Sequence, residues 1–205
     1  MSRRTVLLHA GICDASMWEG FELPGEVLRH QLPAPLDATV GDRPAALVGN
    51  SYGGFVALEF AARRPELVEK LVLMDAPLMD HEFSDDFMEY VHEEERLLEE
   101  GDTDAVVELN LRFWCPDVAG RVRPMARASL EYENAELPNP DLSAVTAPTL
   151  VAVGEHDKPD FIAIAERLAR ELPDAELAVI EGAGHLPSLE RPEETAALVR
   201  SFLAA

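Results

Sequence analysis

The segment Ala45-Ala46-Leu47-Val48-Gly49-Asn50-Ser51-Tyr52-Gly53-Gly54 is a strand running into a helix through a glycine-rich turn. Its first half is continuously apolar, the pattern of a strand covered on both faces. Its second half sets three glycines around Ser51 and opens a helical pattern, Gly53–Arg64, that Pro65 stops. A serine on so tight a turn takes strained backbone geometry, so its neighbours must be small. The turn lifts the hydroxyl out of the sheet and sets it at a helix N-terminus, where the dipole favours negative charge. Alone, G-x-S-x-G is a weak pattern; between a strand and a helix it marks an activated serine.

Outward from this turn, short apolar runs alternate with helical patterns, as in an α/β sheet with crossovers. Thr5–His9, Glu26–Leu32, Leu71–Asp75, Thr149–Gly154 and Glu176–Ile180 read as strands. With Ala45–Asn50 they make a mostly parallel sheet of about six strands, with helices on its faces. Phe161–Leu172, stopped by Pro173, and Pro192–Leu203, with a proline in its first turn, read as two of those helices. From Pro77 to about Leu142 no strand pattern occurs. Several acidic helices, including His92–Glu100 and Asp104–Phe113, lead there to the connector Leu137-Pro138-Asn139-Pro140. The chain therefore divides into a first part of the core sheet (1–76), a short helical cap insertion (77–142) and a second part of the sheet (143–205).

Serine is a poor nucleophile at neutral pH and needs a base, itself oriented by a carboxylate. Gly182-Ala183-Gly184-His185 follows the last strand, and parallel strands expose their C-terminal ends together, so His185 is the expected base. Gly154-Glu155-His156-Asp157 follows another strand, making Asp157 the leading acid. Asp75, at the end of Leu71–Met74, is its rival, and Glu155 and Asp160 are weaker options. An oxyanion needs N–H donors, and the N–H of Tyr52, next after the serine, is one. The other comes from His9-Ala10-Gly11-Ile12-Cys13-Asp14, with Gly11 the first choice and Ile12 the next.

With 17 Lys and Arg against 39 Asp and Glu, the formal net charge is −22. Such a chain repels phosphate backbones and anionic lipid, which argues against nucleic-acid and membrane-surface partners. Cys13 and Cys115 are too few for a disulfide scaffold or a tetrathiolate metal site. Ser2-Arg3-Arg4 precedes an apolar run that stops at His9 with no cleavage site after it, so a cytoplasmic location is expected.

Taken together, Leu7-Leu8-His9-Ala10-Gly11 with Met17-Trp18, Gly49–Gly54, Gly154–Asp157, and Gly182–His185 with Pro192-Glu193-Glu194 resemble the α/β-hydrolase superfamily over nearly the whole chain. The resemblance implies that fold and a Ser51–His185–Asp157 triad, with no metal or organic cofactor. Two family features depart: the usual His-Gly pair is His-Ala, and neither Ala10–Gly25 nor Pro33–Pro44 shows the helical period of the family's crossovers. A trimmed version of the fold is therefore expected.

The function expected is a carboxylesterase acting through an acyl-enzyme on uncharged, small to medium esters. Trp18, Met79 and Trp114 are the candidate substrate-binding residues, among apolar side chains of the insertion that mostly pack helix on sheet. Asn50 before the serine resembles C–C bond hydrolases of aromatic ring-fission products, which keeps that reaction, and lactone hydrolysis, as alternatives. A catalytically silent protein that only binds a ligand is the reading from another class.

Overall fold

The computed structural model describes residues 3–131 and 138–205; Ser2 and Leu137, named above, lie outside them. In chain order the elements are β1 (Arg4–Leu8), β2 (Glu26–His30), α1 (Leu36–Val40), β3 (Ala45–Asn50), α2 (Tyr52–Arg63), β4 (Val68–Met74), α3 (Asp85–Glu100), α4 (Thr103–Trp114), α5 (Ala119–Ser129), β5 (Thr149–Gly154), α6 (Pro159–Glu171), β6 (Ala175–Ile180), α7 (Pro187–Glu190) and α8 (Pro192–Ala204). The six strands form one sheet in the order β2-β1-β3-β4-β5-β6, and every neighbouring pair is parallel. No described helix is long and apolar enough to cross a membrane.

The continuous apolar runs follow from coverage on both faces. Along the central strands, Leu47, Leu71, Leu73, Val151 and Val153 pack with Leu58 of α2 and Ile164 and Leu168 of α6. The alternate residues Val48, Val72, Met74, Leu150 and Ala152 pack with Trp18, Leu189, Val199 and Leu203 on the other side. Alternation along each strand sends successive side chains to opposite faces, and both faces here are dry. Each fully buried aliphatic side chain contributes about 1.5–3 kcal/mol relative to exposure.

The two crossovers are as lean as the missing helical period implies. Between β1 and β2 stands only a 3-10 turn, Ala15–Trp18, capped by the Asp14 carboxylate accepting from the N–H of Ser16. Between β2 and β3 stands α1, a single turn too short to imprint a 3.6-residue period.

In the segment between β4 and β5, α3 begins seven residues before the expected His92. Ser84 accepts from the N–H of Phe87, and Asp85 and Asp86 complement the dipole in the first turn. Gly101, at φ 72°, ends α3, and the Asp102 carboxylate caps α4 through the N–H of Ala105.

Candidate active site

Four loops at the C-terminal edge of the sheet converge, because every strand points the same way. The first is the turn from β3 to α2. Ser51 has φ 53° and ψ −125°, a left-handed conformation that costs a non-glycine residue about 1–3 kcal/mol. The surroundings impose it. The Ser51 N–H donates to Met74 O at 2.8 Å and its carbonyl accepts from Phe55 N–H at 3.1 Å. A Cβ on Gly49 would strike the Gly53 carbonyl, and one on Gly53 would strike the carbonyls of Leu8 and His9. Glycine at both positions is what lets the turn close against β1.

The second loop follows β6. His185, 3 % exposed, accepts the Ser51 hydroxyl proton at Nε2 across 2.9 Å. Its Nδ1–H donates to the Asp157 carboxylate, 2.9 Å from each oxygen. Trp114 lies against the imidazole with ring centroids 4.3 Å apart, and Phe161 meets it edge-on at 4.6 Å. The loop is held from behind by Glu190, whose carboxylate accepts from the N–H groups of Gly184 and Leu186. Asn50 ties it to the sheet, its Nδ2 donating to His185 O at 3.1 Å and Met74 O at 3.2 Å.

The third loop, after β5, delivers Asp157. Burial alone would raise its carboxyl. The His185 ring beside it and hydrogen bonds from His185, Asp75 and the Lys158 N–H outweigh that and hold it below the ordinary carboxylate value. The rival acids have other partners. Glu155 accepts from the Gly182 N–H, and Asp160 accepts from Ser84 and His81.

Asp75 ends β4 at φ 49°, is fully buried, and accepts the Gly154 N–H at Oδ1 across 2.9 Å. Oxygens of Asp75 and Asp157 and a ring nitrogen of His185 all lie within 4.8 Å of one another. Burial, and then the neighbouring Asp157, push the Asp75 carboxyl well above the ordinary value. Two carboxyls so close in a dry site share one proton, and Asp75, which hydrogen-bonds no cation, holds it. This is the one trio of ligating side chains close enough to hold a metal among the described residues. Both nitrogens of the imidazole are already engaged, Nδ1 with Asp157 and Nε2 with Ser51, so the ring has no free nitrogen to offer an ion.

The fourth loop follows β1. His9 is buried and burial lowers its pKa; its Nδ1–H donates to Ala10 O at 2.8 Å, and its Nε2 accepts the Leu32 N–H at 3.0 Å. Those two bonds pin the backbone that leads to Gly11. Gly11 and Ile12 line a cavity of about 520 Å³ together with Ser51, His185, Phe87 and Trp114. Tyr52 opens α2 directly after Ser51.

Of the three residues expected to bind substrate, Trp114 lines the cavity. Trp18 does not: it is fully buried on its 3-10 turn, edge-on to Phe21 at 5.1 Å, and serves the core. Met79 does not either; it is half exposed, and its N–H donates to Asn139 at the surface. Sequence reasoning missed Glu190 as a brace and Asn50 as a staple, since both act through backbone groups that no motif reports.

A sequence model described as the Alpha/beta hydrolase family matches residues 18–198. The chain is 29% identical over 184 residues to a pimeloyl-[acyl-carrier protein] methyl ester esterase of Neisseria meningitidis serogroup B, covering 79% of this chain and 70% of that protein. It is 31% identical over 192 residues to a 2-hydroxymuconate semialdehyde hydrolase of Pseudomonas putida, covering 82% and 65%. Its fold is similar to that of carboxylesterase CesB (YbfK) from Bacillus subtilis, with a TM-score of 0.76 at 22% identity, covering 98% of this chain and 84% of that one.

Proposed function

The chain belongs to the alpha/beta hydrolase family, and from that premise we propose that it is a serine hydrolase of carboxylic esters. The observation that carries this reading is the continuous hydrogen-bonded line from the Ser51 hydroxyl through His185 to Asp157. The names of the esterase and hydrolase relatives support the same class of reaction.

In this mechanism Ser51 Oγ attacks the ester carbonyl while His185 Nε2 takes the hydroxyl proton. Asp157, kept ionised, stabilises the imidazolium and fixes its orientation. The carbonyl oxygen becomes an oxyanion, held by the backbone N–H groups of Gly11 and Tyr52. Each such donor lowers the barrier by about 2.7–4 kcal/mol where this has been measured. Collapse of the intermediate expels the alcohol, which leaves with the proton from His185. Water then attacks the acyl-serine, His185 again accepting a proton and returning it to Ser51 Oγ, and the acid departs.

C–C bond and lactone hydrolysis use the same three side chains. The printed name of the Pseudomonas putida relative is what favours keeping that second reading.

A fluorophosphonate probe tests the proposal, because it reacts only with an activated serine. Labelling at Ser51 that disappears in Ser51→Ala, together with turnover of simple aryl esters, is the expected result. Folded protein that is neither labelled nor active would leave a ligand-binding protein in its place. The three-part division at 1–76, 77–142 and 143–205, with the middle part as a cap over the site, belongs to the same proposal.

A further inference from the structure

Beyond Trp114 the cavity wall carries a polar stripe, Tyr90, Asn110 and Glu94, among the apolar Val91, Leu98 and Leu130, and its hydrogen bonds run in one direction. The Trp114 indole N–H donates to the Tyr90 hydroxyl at 2.9 Å. The Tyr90 hydroxyl donates to Asn110 Oδ1, and Asn110 Nδ2 donates to Glu94 Oε1 at 2.7 Å. Tyr90 and Asn110 are buried, and all four residues line the cavity that opens on Ser51. The chain of donors thus ends on a carboxylate.

Among the described residues no cationic side chain balances that carboxylate. Neither Lys nor Arg lines the cavity, and Glu94 has no ion-pair partner among the described residues; Arg96, nearby in sequence on α3, is engaged by Glu93 and Glu100. Burial, and then the charge of Glu94, raise the Tyr90 phenol, which stays neutral.

A wall that combines a carboxylate with hydroxyl and amide oxygens, and lacks any cation, attracts hydrogen-bond donors and repels anions. We infer that the Glu94–Asn110–Tyr90 wall is a specificity subsite for the part of the substrate remote from the ester. The group it takes is a hydrogen-bond donor, a protonated amine foremost and a hydroxyl next, and a carboxylate is rejected. The inference rests on Ser51 being the reacting group, since that makes the cavity the substrate site.

Matched methyl esters of hexanoate test it, with the far carbon bearing a methyl, hydroxyl, ammonium or carboxylate group. Two readouts are taken: kcat/KM with the intact protein, and calorimetric affinity with Ser51→Ala, which needs no catalysis. The ammonium ester should exceed the carboxylate ester by about tenfold in both, with the hydroxyl ester between them. In Glu94→Gln that ratio should fall to about threefold or less. The same ratio in the Ser51→Ala background without turnover by the intact protein would sustain the subsite while removing the hydrolase reading. Equal or tighter binding of the carboxylate ester, or a ratio that Glu94→Gln leaves unchanged, overturns the inference.

Discussion

Asp75 and Asp157 face one another from the ends of the adjacent strands β4 and β5, and only Asp157 is hydrogen-bonded to His185. The pair divides the work of one carboxyl group. Asp157 keeps the charge because the imidazole rewards it, and Asp75 keeps the proton because burial and the charge of Asp157 outweigh its one bond from the Gly154 N–H. Protonation also resolves the Asp75 oxygen that has no hydrogen-bond donor, since an O–H there donates toward Asp157.

A neutral amide should therefore replace Asp75 well and Asp157 badly. In Asp75→Asn the amide oxygen still accepts from Gly154 and the NH2 group still donates toward Asp157. Its kcat should stay within about threefold of the wild type, whereas Asp157→Asn should lose up to about 10⁴-fold while remaining folded. Asp75→Leu strands the Gly154 N–H and should cost about 1–3 kcal/mol of stability. Steady-state kinetics on one aryl ester, with thermal melts, check this. Equal damage from the two Asn variants would mean that both carboxylates are needed in charged form.

The same pair sets a pH dependence of stability. The Asp75 carboxyl is raised when folded and returns to the ordinary value on unfolding. Between those two values unfolding releases a proton, so stability falls as pH rises. Asp75→Asn cannot release that proton. Urea denaturation should show the variant gaining on the wild type as pH rises above the ordinary carboxylate range, by at most about 1.4 kcal/mol per pH unit. A gap that is flat or shrinking with pH would contradict a protonated Asp75.

Glycine is required in the serine turn and optional on α5. A methyl on Gly53 falls against the carbonyls of Leu8 and His9, whereas one on Gly120 meets open space. Gly53→Ala should destabilise by about 1–3 kcal/mol and reduce fluorophosphonate labelling of Ser51. Gly120→Ala should instead stabilise by about 0.5–1 kcal/mol. Chemical denaturation of both variants gives the two signs.

Asp160 holds the start of α3 to α6, through the Ser84 N–H at 2.9 Å, the Ser84 hydroxyl at 2.6 Å and the His81 ring at 3.2 Å. Burial opposes the charge, but these bonds prevail and lower the Asp160 carboxyl. Asp160→Ala should cost about 1.5–3 kcal/mol at neutral pH. A carboxyl lowered by folding contributes stability above the ordinary carboxylate range and loses it as pH falls through the depressed value. The difference between wild type and variant should therefore narrow as pH falls below the ordinary carboxylate range. Because α3 carries Phe87, Tyr90 and Glu94 to the cavity, KM should rise more than kcat falls. A variant whose kcat alone collapses would place Asp160 in the chemistry.

Six apolar runs, the prolines that stop helices and the glycines flanking Ser51 were enough to read the sheet, its direction and the serine turn from sequence alone. Those features act locally: a strand buried on both faces must be apolar throughout, and a turn this tight excludes a Cβ at Gly49 and Gly53. Parallel strands then bring His185 to the edge occupied by Ser51. Sequence put Asp157 ahead of Asp75 from its loop after a strand but left both open, because both follow strands on that edge and only packing decides which one reaches Nδ1. Trp18 and Trp114 are equally apolar in sequence, yet one fills the core and the other lies on the imidazole. Hydrogen bonds and close contacts operate over a few ångströms in space, and residues far apart along the chain acquire them only when the strands have packed.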